Sequence, residues 1–226
     1  SPATQGEPPS ARIGHAAALA HRDDGTAQMF VYGGYATEPR EYLNDFAVLS
    51  LPSWTWSRPH ISVDKGCVPP LCTSATLTAL GGGALLLLGG SQHKQVTDTA
   101  MLLEGASGEA NSGAMTLRSV PLTTSETGPH TARARPSARC NHTATVVGDA
   151  LYVYGGAAGD WEFEDVCRVE LRPLREGQRV LRWASVEARR GSVSGGSSPP
   201  LPRQHHVSVA LEGSLLVLGG SCGEKV

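Results

Sequence analysis

The sequence lacks any strong excess of charge of one sign. Its 19 Lys and Arg residues nearly balance its 21 Asp and Glu residues, so the formal net charge at pH 7 is −2. A chain with so little net charge has no overall field that would attract nucleic acid or an anionic membrane surface. We therefore expect neither of these as a partner.

The sequence also lacks a long apolar run. No stretch approaches the roughly 20 apolar residues that are needed to cross a bilayer. Residues 1–6 show neither the basic nor the apolar region of a secretory leader. This second absence excludes little, because the chain can begin inside a longer protein.

Cysteines are few, and their spacing is not paired. An odd number of scattered cysteines matches neither a disulfide framework nor a zinc site. We therefore predict no metal and a reducing, intracellular compartment, the cytoplasm. Asn141-His142-Thr143 is a glycosylation sequon that would suit a secreted protein, but it falls where a buried strand is expected. The five cysteines are Cys67, Cys72, Cys140, Cys167 and Cys222.

Recognisable catalytic motifs are missing as well. The sequence has no Gly-x-Ser-x-Gly nucleophile elbow, and no pair of carboxylates is positioned by a motif. The glycine-rich pieces at 81–83 and 195–196 lack the Lys-Ser/Thr that follows a phosphate-binding loop. These absences predict that the chain is not an enzyme and has no cofactor.

Glycine, by contrast, is abundant, and it recurs in doublets. Each doublet closes a four-residue apolar run, which is too short for a helix and is typical of a strand buried on both faces. Glycine after such a strand lets the backbone turn with φ > 0 and lets another segment approach closely. The four doublets are Gly33-Gly34, Gly89-Gly90, Gly155-Gly156 and Gly219-Gly220.

The segments around each doublet follow one plan. A first apolar strand and a Gly-containing turn precede it, and a polar loop and a third strand follow it. A fourth strand carries Trp56 in the first repeat and Trp183 in the third, whereas Met115-Thr-Leu117-Arg takes its place in the second. Four antiparallel strands per repeat are typical of a propeller blade.

At this point the sequence resembles the kelch-repeat family. The doublets, the Asp before the third strand and the Trp of the fourth strand match its pattern. So does an Arg-x-x-His opening in three repeats, formed by Arg12 and His15, by Arg139 and His142, and by Arg203 and His206. The resemblance implies an all-β, kelch-type β-propeller. In the second repeat Thr73 and Thr76 are expected at the Arg and His positions.

About three and a half four-stranded blades are visible, a partial ring or a fragment of a six- or seven-bladed propeller. The fourth repeat stops after its second strand. Because an open ring leaves exposed strand edges, we expect further blades or another chain to complete it. The repeats cover approximately 12–60, 70–120, 136–186 and 203–226, and the Ser-, Gly-, Thr- and Pro-rich stretches 104–135 and 189–202 are predicted to be mobile insertions.

The recurring polar residues have two interpretations. The three histidines could form a metal site, but residues at one repeat position lie around a ring and usually tie loops to the backbone. We therefore assign a structural role to the histidines. The three arginines are interpreted in the same way, with the alternative that they line the channel mouth and hold an acidic peptide.

The resemblance implies that recognition uses the loops after the doublets. Trp161 could be an interface anchor or could pack on its own blade. The function that follows is a scaffold or adaptor that binds a protein partner. The alternative is the accessory propeller of a larger enzyme, a kelch-associated phosphatase or a leucine-carboxyl-methyltransferase-like tRNA-modifying enzyme. The candidate contact residues are Tyr35, Arg40, Tyr42, Gln92, His93, Lys94, Asp160, Trp161 and Glu162.

Overall fold

The computed structural model describes residues 3–22, 24–106, 115–124, 134–178, 180–187 and 201–223. Two compact halves form, Ser1–Val120 and Pro121–Val226, and each is described by itself. Nearly all regular structure in the described residues is β-strand. Much of the predicted insertions, at 107–114, 125–133 and 188–200, lies outside the described residues.

Repeat 1 forms one mixed sheet, antiparallel except for its outermost strand, around a long second strand. That strand is buried on both faces before its Gly-Gly doublet, as the apolar run predicts, and it continues beyond the doublet after a bulge at Tyr32/Gly34. The first strand is split into two pieces that pair with the same edge. The elements are β1 (Gln5–Gly6), β2 (Arg12–Ile13), β3 (Ala16–His21), β4 (Ala27–Thr37), β5 (Arg40–Ser50) and β6 (Thr55–Ser57).

Repeat 2 has the same sheet with shorter strands. Its inner strand is the most apolar, and Leu85, Leu86, Leu87 and Leu88 are all fully buried. The segment after its doublet forms a separate two-stranded hairpin. The elements are β7 (Ile61–Val63), β8 (Thr76–Gly81), β9 (Ala84–Leu88), β10 (Ser91–Gln92), β11 (Gln95–Val96), β12 (Ala100–Glu104) and β13 (Met115–Ser119).

The C-terminal half holds repeat 3 and the hairpin of repeat 4. One short helix begins after the third strand of repeat 3 and has a proline in its first turn, where proline is tolerated. The elements are β14 (Leu122–Thr124), β15 (Thr143–Val147), β16 (Ala150–Tyr154), β17 (Ala157–Ala158), β18 (Trp161–Glu162), β19 (Val166–Glu170), α1 (Arg172–Arg175), β20 (Leu181–Ser185), β21 (Val207–Leu211) and β22 (Ser214–Leu218).

Each complete repeat carries a fifth, outermost strand in addition to the four predicted ones. β1, β7 and β14 pair parallel with β6, β13 and β20, the fourth strands of their sheets. Each of these edge strands comes from the segment that precedes the first strand of its repeat. With two or three residues each, they have too little hydrophobic alternation to be recognised from the sequence.

The fourth-strand tryptophan position is part of the core. Trp183 is fully buried and pairs with Val169, and Leu117 occupies the same register opposite Leu103 in repeat 2. Trp56 pairs with Leu49 in repeat 1 and is half-buried. Full burial of one such large side chain is worth about 1.5–3 kcal/mol, so this position helps to hold the outer strands on the inner ones.

The expected alignment of repeat 2 is wrong by one residue. The Arg and His positions are occupied by Cys72 and Ala75, not by Thr73 and Thr76. A Cβ on Gly90 would meet the Ala75 Cβ, just as a Cβ on Gly34 would meet the Cβ of His15. The residue directly before the His position has positive φ in every repeat, so this φ identifies the His position independently of the side chain. These residues are Gly14, Ser74, Asn141 and His205.

None of the described helices is long and apolar enough to cross a membrane. None of the five cysteines, all of which the structure describes, forms a disulfide, and Cys72 and Cys167 are buried. Burial raises the pKa of the Cys72 thiol to about 11. The intracellular location stays a prediction.

Candidate functional site: the hairpins after the glycine doublets

Arg12 connects separate strands of repeat 1. Its Nη1 donates to the Gly33 carbonyl at 3.0 Å and to Asp45 Oδ1 at 2.6 Å, and its Nη2 donates to Asp45 Oδ2 at 3.1 Å. Burial would raise the pKa of Asp45, but the hydrogen bonds and charges of Arg12 and Arg58 outweigh burial and hold that pKa below its usual value. Asp45 is therefore charged and occupied by this ion pair.

Repeat 3 has the same arrangement. Arg139 donates to the Gly155 carbonyl at 3.0 Å and to the two Asp165 oxygens at 2.7 and 2.8 Å. Its side chain is 1% exposed, and its guanidinium lies 4.0 Å from the centroid of the Phe163 ring. A buried guanidinium needs such a bidentate partner. Arg12 and Arg139 thus bind inside their own repeats and are not presented to an acidic peptide.

The glycine doublets connect neighbouring repeats within each half. The second glycine donates its N–H to the next repeat, from Gly34 to the Cys72 carbonyl at 2.9 Å and from Gly156 to the Arg203 carbonyl at 2.8 Å. A Cβ on Gly33 would lie 2.8 Å from that Cys72 oxygen. Gly33 also has positive φ, as do the other seven doublet glycines, so at Gly33 both space and backbone conformation require glycine.

A tyrosine before the doublet adds a second connection that sequence reasoning missed. The Tyr32 hydroxyl donates to the Pro70 carbonyl at 2.7 Å, and the Tyr154 hydroxyl donates to the Leu201 carbonyl at 3.1 Å. Burial raises the pKa of both phenols, so they remain donors at any ordinary pH. The sequence carries a sign of this connection, because repeats 1 and 3 have Tyr-Gly-Gly where repeats 2 and 4 have Leu-Gly-Gly.

The recurring histidines have different surroundings. His15 is exposed, whereas His142 and His206 are buried. Burial, with the nearby charges of Arg139 and His206, lowers the pKa of His142 to about 3. His206 lies 2.9 Å from the Thr143 hydroxyl and edge-on to Tyr154. In the part of the chain that the structure describes, no group of three or more His, Cys, Asp or Glu side chains could hold a metal ion.

The candidate contact residues lie mainly on short β-hairpins, where the sequence predicted polar loops. In repeat 1 the strands β4 and β5 continue past the doublet, so that Tyr35 pairs with Tyr42 and Thr37 with Arg40. β10–β11 and β17–β18 form the corresponding hairpins of repeats 2 and 3. Backbone pairing gives these segments a fixed shape, which suits a recognition surface.

The hairpins of repeats 1 and 2 meet through an aromatic row, which we define as Tyr35, Tyr42 and His93. The ring centroids are 5.1 Å apart for Tyr35 and Tyr42 and 4.7 Å apart for Tyr42 and His93, both edge-to-face. The His93 N–H also donates to the Tyr42 hydroxyl at 3.1 Å. His93 and Lys94 both have positive φ, which is uncommon outside glycine. The edges of this row are accessible, since His93 is exposed and both tyrosines are half-buried.

The remaining candidate contact residues of the N-terminal half lie close in sequence to the residues of the aromatic row. Arg40 lies at the tip of the β4–β5 hairpin, next to its turn, and is exposed. Lys94 is exposed in the β10–β11 turn, and Gln92 is half-buried at the end of β10. Two cations are thus presented by the same pair of hairpins that carries the aromatic row.

In the C-terminal half, Trp161 is the most exposed candidate. It begins β18, pairs with Ala158 and is 69% exposed, so it does not pack down on its own blade. Asp160 precedes it in the exposed turn. Glu162 is occupied, because its Oε1 accepts from Gln204 Nε2 at 3.0 Å and its Oε2 accepts from the Gly223 N–H at 2.7 Å.

Comparison with known proteins agrees with this geometry. The model of the KLHDC2/KLHL20/DRC7 Kelch-repeats domain matches residues 1–116. Acyl-CoA-binding domain-containing protein 5 of Arabidopsis thaliana is 30% identical over 223 residues, which cover 97% of this chain and 30% of that protein. Rab9 effector protein with kelch motifs of Xenopus laevis is 25% identical over 222 residues, 97% of this chain and 52% of that protein.

A third relative, host cell factor 2 of Homo sapiens, is 28% identical over 162 residues, which cover 70% of this chain and 20% of that protein. The chain thus spans between a fifth and about half of these relatives' lengths, and kelch repeats commonly serve as protein-interaction modules. The Arg–Asp ion pairs, the contacts of the glycine doublets and the sheets of the complete repeats agree with the family match. The chain belongs to the kelch-repeat family and is part of a β-propeller.

Proposed function

We propose that this chain is a non-catalytic interaction module that binds a protein partner through the hairpins that follow the Gly-Gly doublets. The observation that carries the proposal is the 69% exposure of Trp161 on a backbone-paired hairpin. Tryptophan is enriched among the residues that dominate binding energy at interfaces. A large exposed aromatic ring on a fixed support is the kind of anchor that such a surface uses.

The support of Trp161 strengthens the proposal. The Glu162 carboxylate binds Gln204 and the Gly223 N–H of repeat 4, so the end of β18 next to Trp161 is held to repeat 4. Ordering a loop on association costs free energy, and a hairpin that is already ordered avoids that cost. Trp161 is therefore preorganised for contact.

The aromatic row supports the same function in the N-terminal half. Tyr35, Tyr42 and His93 offer ring edges and polar groups at one place, and Arg40 and Lys94 are exposed on the same two hairpins. Aromatic residues and arginine are enriched at interface cores. The positive φ of His93 is a backbone cost that an interface role would explain.

The test is a pull-down that compares the wild-type chain with Trp161→Ala, with captured proteins quantified by mass spectrometry. Loss of a buried anchor costs about 2 kcal/mol or more, close to a thirtyfold loss of affinity. Trp54→Ala is the matched control, because Trp54 is also exposed but lies outside the hairpins. Partners that depend on the hairpin are lost with Trp161→Ala and kept with Trp54→Ala. Equal recovery with both variants removes Trp161 from the interface.

A further inference from the structure

Ser137 has an exposed side chain in a segment without regular structure. In the described part of the chain, residues 134–139 belong to no helix or strand, and Ser137 is exposed although Pro136 and Arg139 beside it are buried. Since the serine takes part in no sheet, an enzyme can reach its hydroxyl without separating strands.

The sequence around Ser137 is basic. Arg133 and Arg135 precede it, and no Asp or Glu occurs between residues 127 and 148. Of these two arginines, Arg135 belongs to the described residues and is half-buried. Protein kinases select their substrates by such charge patterns, so this sequence suits a serine kinase that prefers arginine before the serine.

The Ser137 hydroxyl already lies against a cation. Its Oγ accepts from Arg139 Nη2 at 3.2 Å, and its carbonyl accepts from Arg139 Nε at 3.1 Å. The same Nη2 donates to Asp165 Oδ2 at 2.8 Å. A phosphoryl group on the Ser137 oxygen would therefore stand beside the Arg139–Asp165 ion pair.

The guanidinium of Arg139 has no N–H group left for an additional acceptor. Nε donates to the Ser137 carbonyl, Nη1 to Gly155 and Asp165, and Nη2 to the Ser137 hydroxyl and Asp165. A guanidinium has only these five N–H groups. A phosphate, with a charge of about −1.5 to −2, would thus share one cation with Asp165 and repel it.

We propose that Ser137 is a phosphorylation site for a serine kinase that selects basic sequences, and that its phosphate competes with Asp165 for Arg139. In the reaction the Ser137 oxygen bonds to the γ-phosphorus of ATP, the bond from that phosphorus to the β–γ bridging oxygen breaks, and ADP leaves. The hydroxyl proton passes to the catalytic aspartate of the kinase. The phosphate then accepts a charge-assisted hydrogen bond from Arg139, and Asp165, which is 31% exposed, turns toward solvent.

Ser10 of repeat 1 is a matched serine. It lies in the same tetrapeptide, Pro-Ser-Ala-Arg, and its Oγ accepts from Arg12 Nη2 at 3.1 Å. Ser10 is also exposed, but residues 1–9 contain no Lys or Arg. Because the local geometry is shared and the basic sequence is not, the proposal predicts phosphate on Ser137 and not on Ser10.

The first experiment uses ATP and a serine kinase chosen for its activity on a peptide with the sequence of residues 132–142, in which Ser137 is the only serine. The folded 226-residue chain is treated in the same way, and mass spectrometry gives the rate at each serine. We expect Ser137 to react within about tenfold of the peptide rate and Ser10 to react far more slowly. A slower reaction at Ser137 shows that the folded site is closed and refutes the proposal, as do equal rates at the two serines.

The competition is tested by the urea midpoint of unfolding before and after phosphorylation. In the wild type the phosphate repels Asp165 and should lower the midpoint. In Asp165→Asn the buried Arg139 has lost its counter-charge, so the phosphate replaces that charge and should raise the midpoint. Shifts of the same sign in the two chains overturn the competition.

Hydrogen exchange of the wild type gives a second measurement that needs no variant. The Gly155 N–H donates to the Asp165 carbonyl at 3.4 Å, and the Phe163 N–H donates to the Gly156 carbonyl at 2.9 Å. Release of Asp165 by the phosphate should speed the exchange of both amides about tenfold. Gly89, at the same doublet position of repeat 2, should keep its rate. Unchanged exchange at Gly155 and Phe163 after phosphorylation contradicts the proposal.

Discussion

Acidification from pH 7 to pH 5 should destabilise the protein through His142. Burial lowers the pKa of this side chain from 6.5 to about 3, with further contributions from the charges of Arg139 and His206. In the unfolded chain the imidazole takes up a proton below pH 6.5, whereas in the folded chain it remains neutral until about pH 3. The unfolded state therefore binds more protons across this window, and stability falls as pH falls.

The magnitude follows from the two pKa values. Each pH unit between them costs about 1.4 kcal/mol, so the change from pH 7 to pH 5 lowers the free energy of unfolding by about 2 kcal/mol. His206, whose pKa is also lowered chiefly by burial, acts in the same direction. Asp45 does not contribute, because its carboxyl has an unfolded pKa of 3.8 and a lower folded one.

Urea unfolding at pH 7 and pH 5, followed by tryptophan fluorescence, measures this loss. His142→Gln removes the titrating group and should cut the pH-dependent loss by about 2 kcal/mol, whatever the variant costs at pH 7. His15→Gln is the matched control, because it changes the same repeat position at an exposed side chain. A pH dependence that is the same in His142→Gln as in the wild type refutes the reasoning.

Two further substitutions test contacts within repeat 3. Asp165→Asn leaves the buried Arg139 without its counter-charge and should lower the free energy of unfolding in urea by about 2 kcal/mol; a loss below about 0.5 kcal/mol contradicts the ion-pair role. Gly156→Ala should cost more than about 2 kcal/mol, since its Cβ would lie 2.6 Å from the Cys140 carbonyl oxygen. Gly159→Ala also has positive φ but meets open space, so equal losses would exclude the close contact as the cause.

Much of the inner sheet could be predicted because its signals are local. An apolar run followed by Gly-Gly specifies a buried strand and the turn after it within six residues, as in Leu151–Gly156. The kelch resemblance rested on these signals together with the arginines and the fourth-strand tryptophans. The family match confirms that resemblance and the propeller fold.

The features that were missed depend on distant partners. Ile61–Val63 is an edge strand only because Met115–Leu117 lies beside it, and nothing in the three residues themselves indicates that partner. The alignment of repeat 2 was wrong because Cys72 and Ala75 carry neither a guanidinium nor an imidazole. Only the positive φ of Ser74 and the approach of Gly90 identify the position.

The candidate hairpins were found in sequence, but their surroundings were not. The position of Trp161 after its doublet followed from the repeat, whereas its exposure depends on whether neighbouring strands cover the ring. The aromatic row likewise joins Tyr42 to His93, two residues from different repeats. Whether these residues contact a partner stays a prediction.

The parallel outer strands have a consequence for synthesis on the ribosome. Gln5 pairs with Thr55, and Leu122 pairs with Leu181. The first strand of each of these sheets to be synthesised therefore cannot pair until the last strand has been synthesised. At about 5–20 residues per second, that wait lasts roughly 3–12 seconds. During this time β1 or β14 has no partner within its repeat, and each blade can close its outer edge only when its whole repeat has emerged.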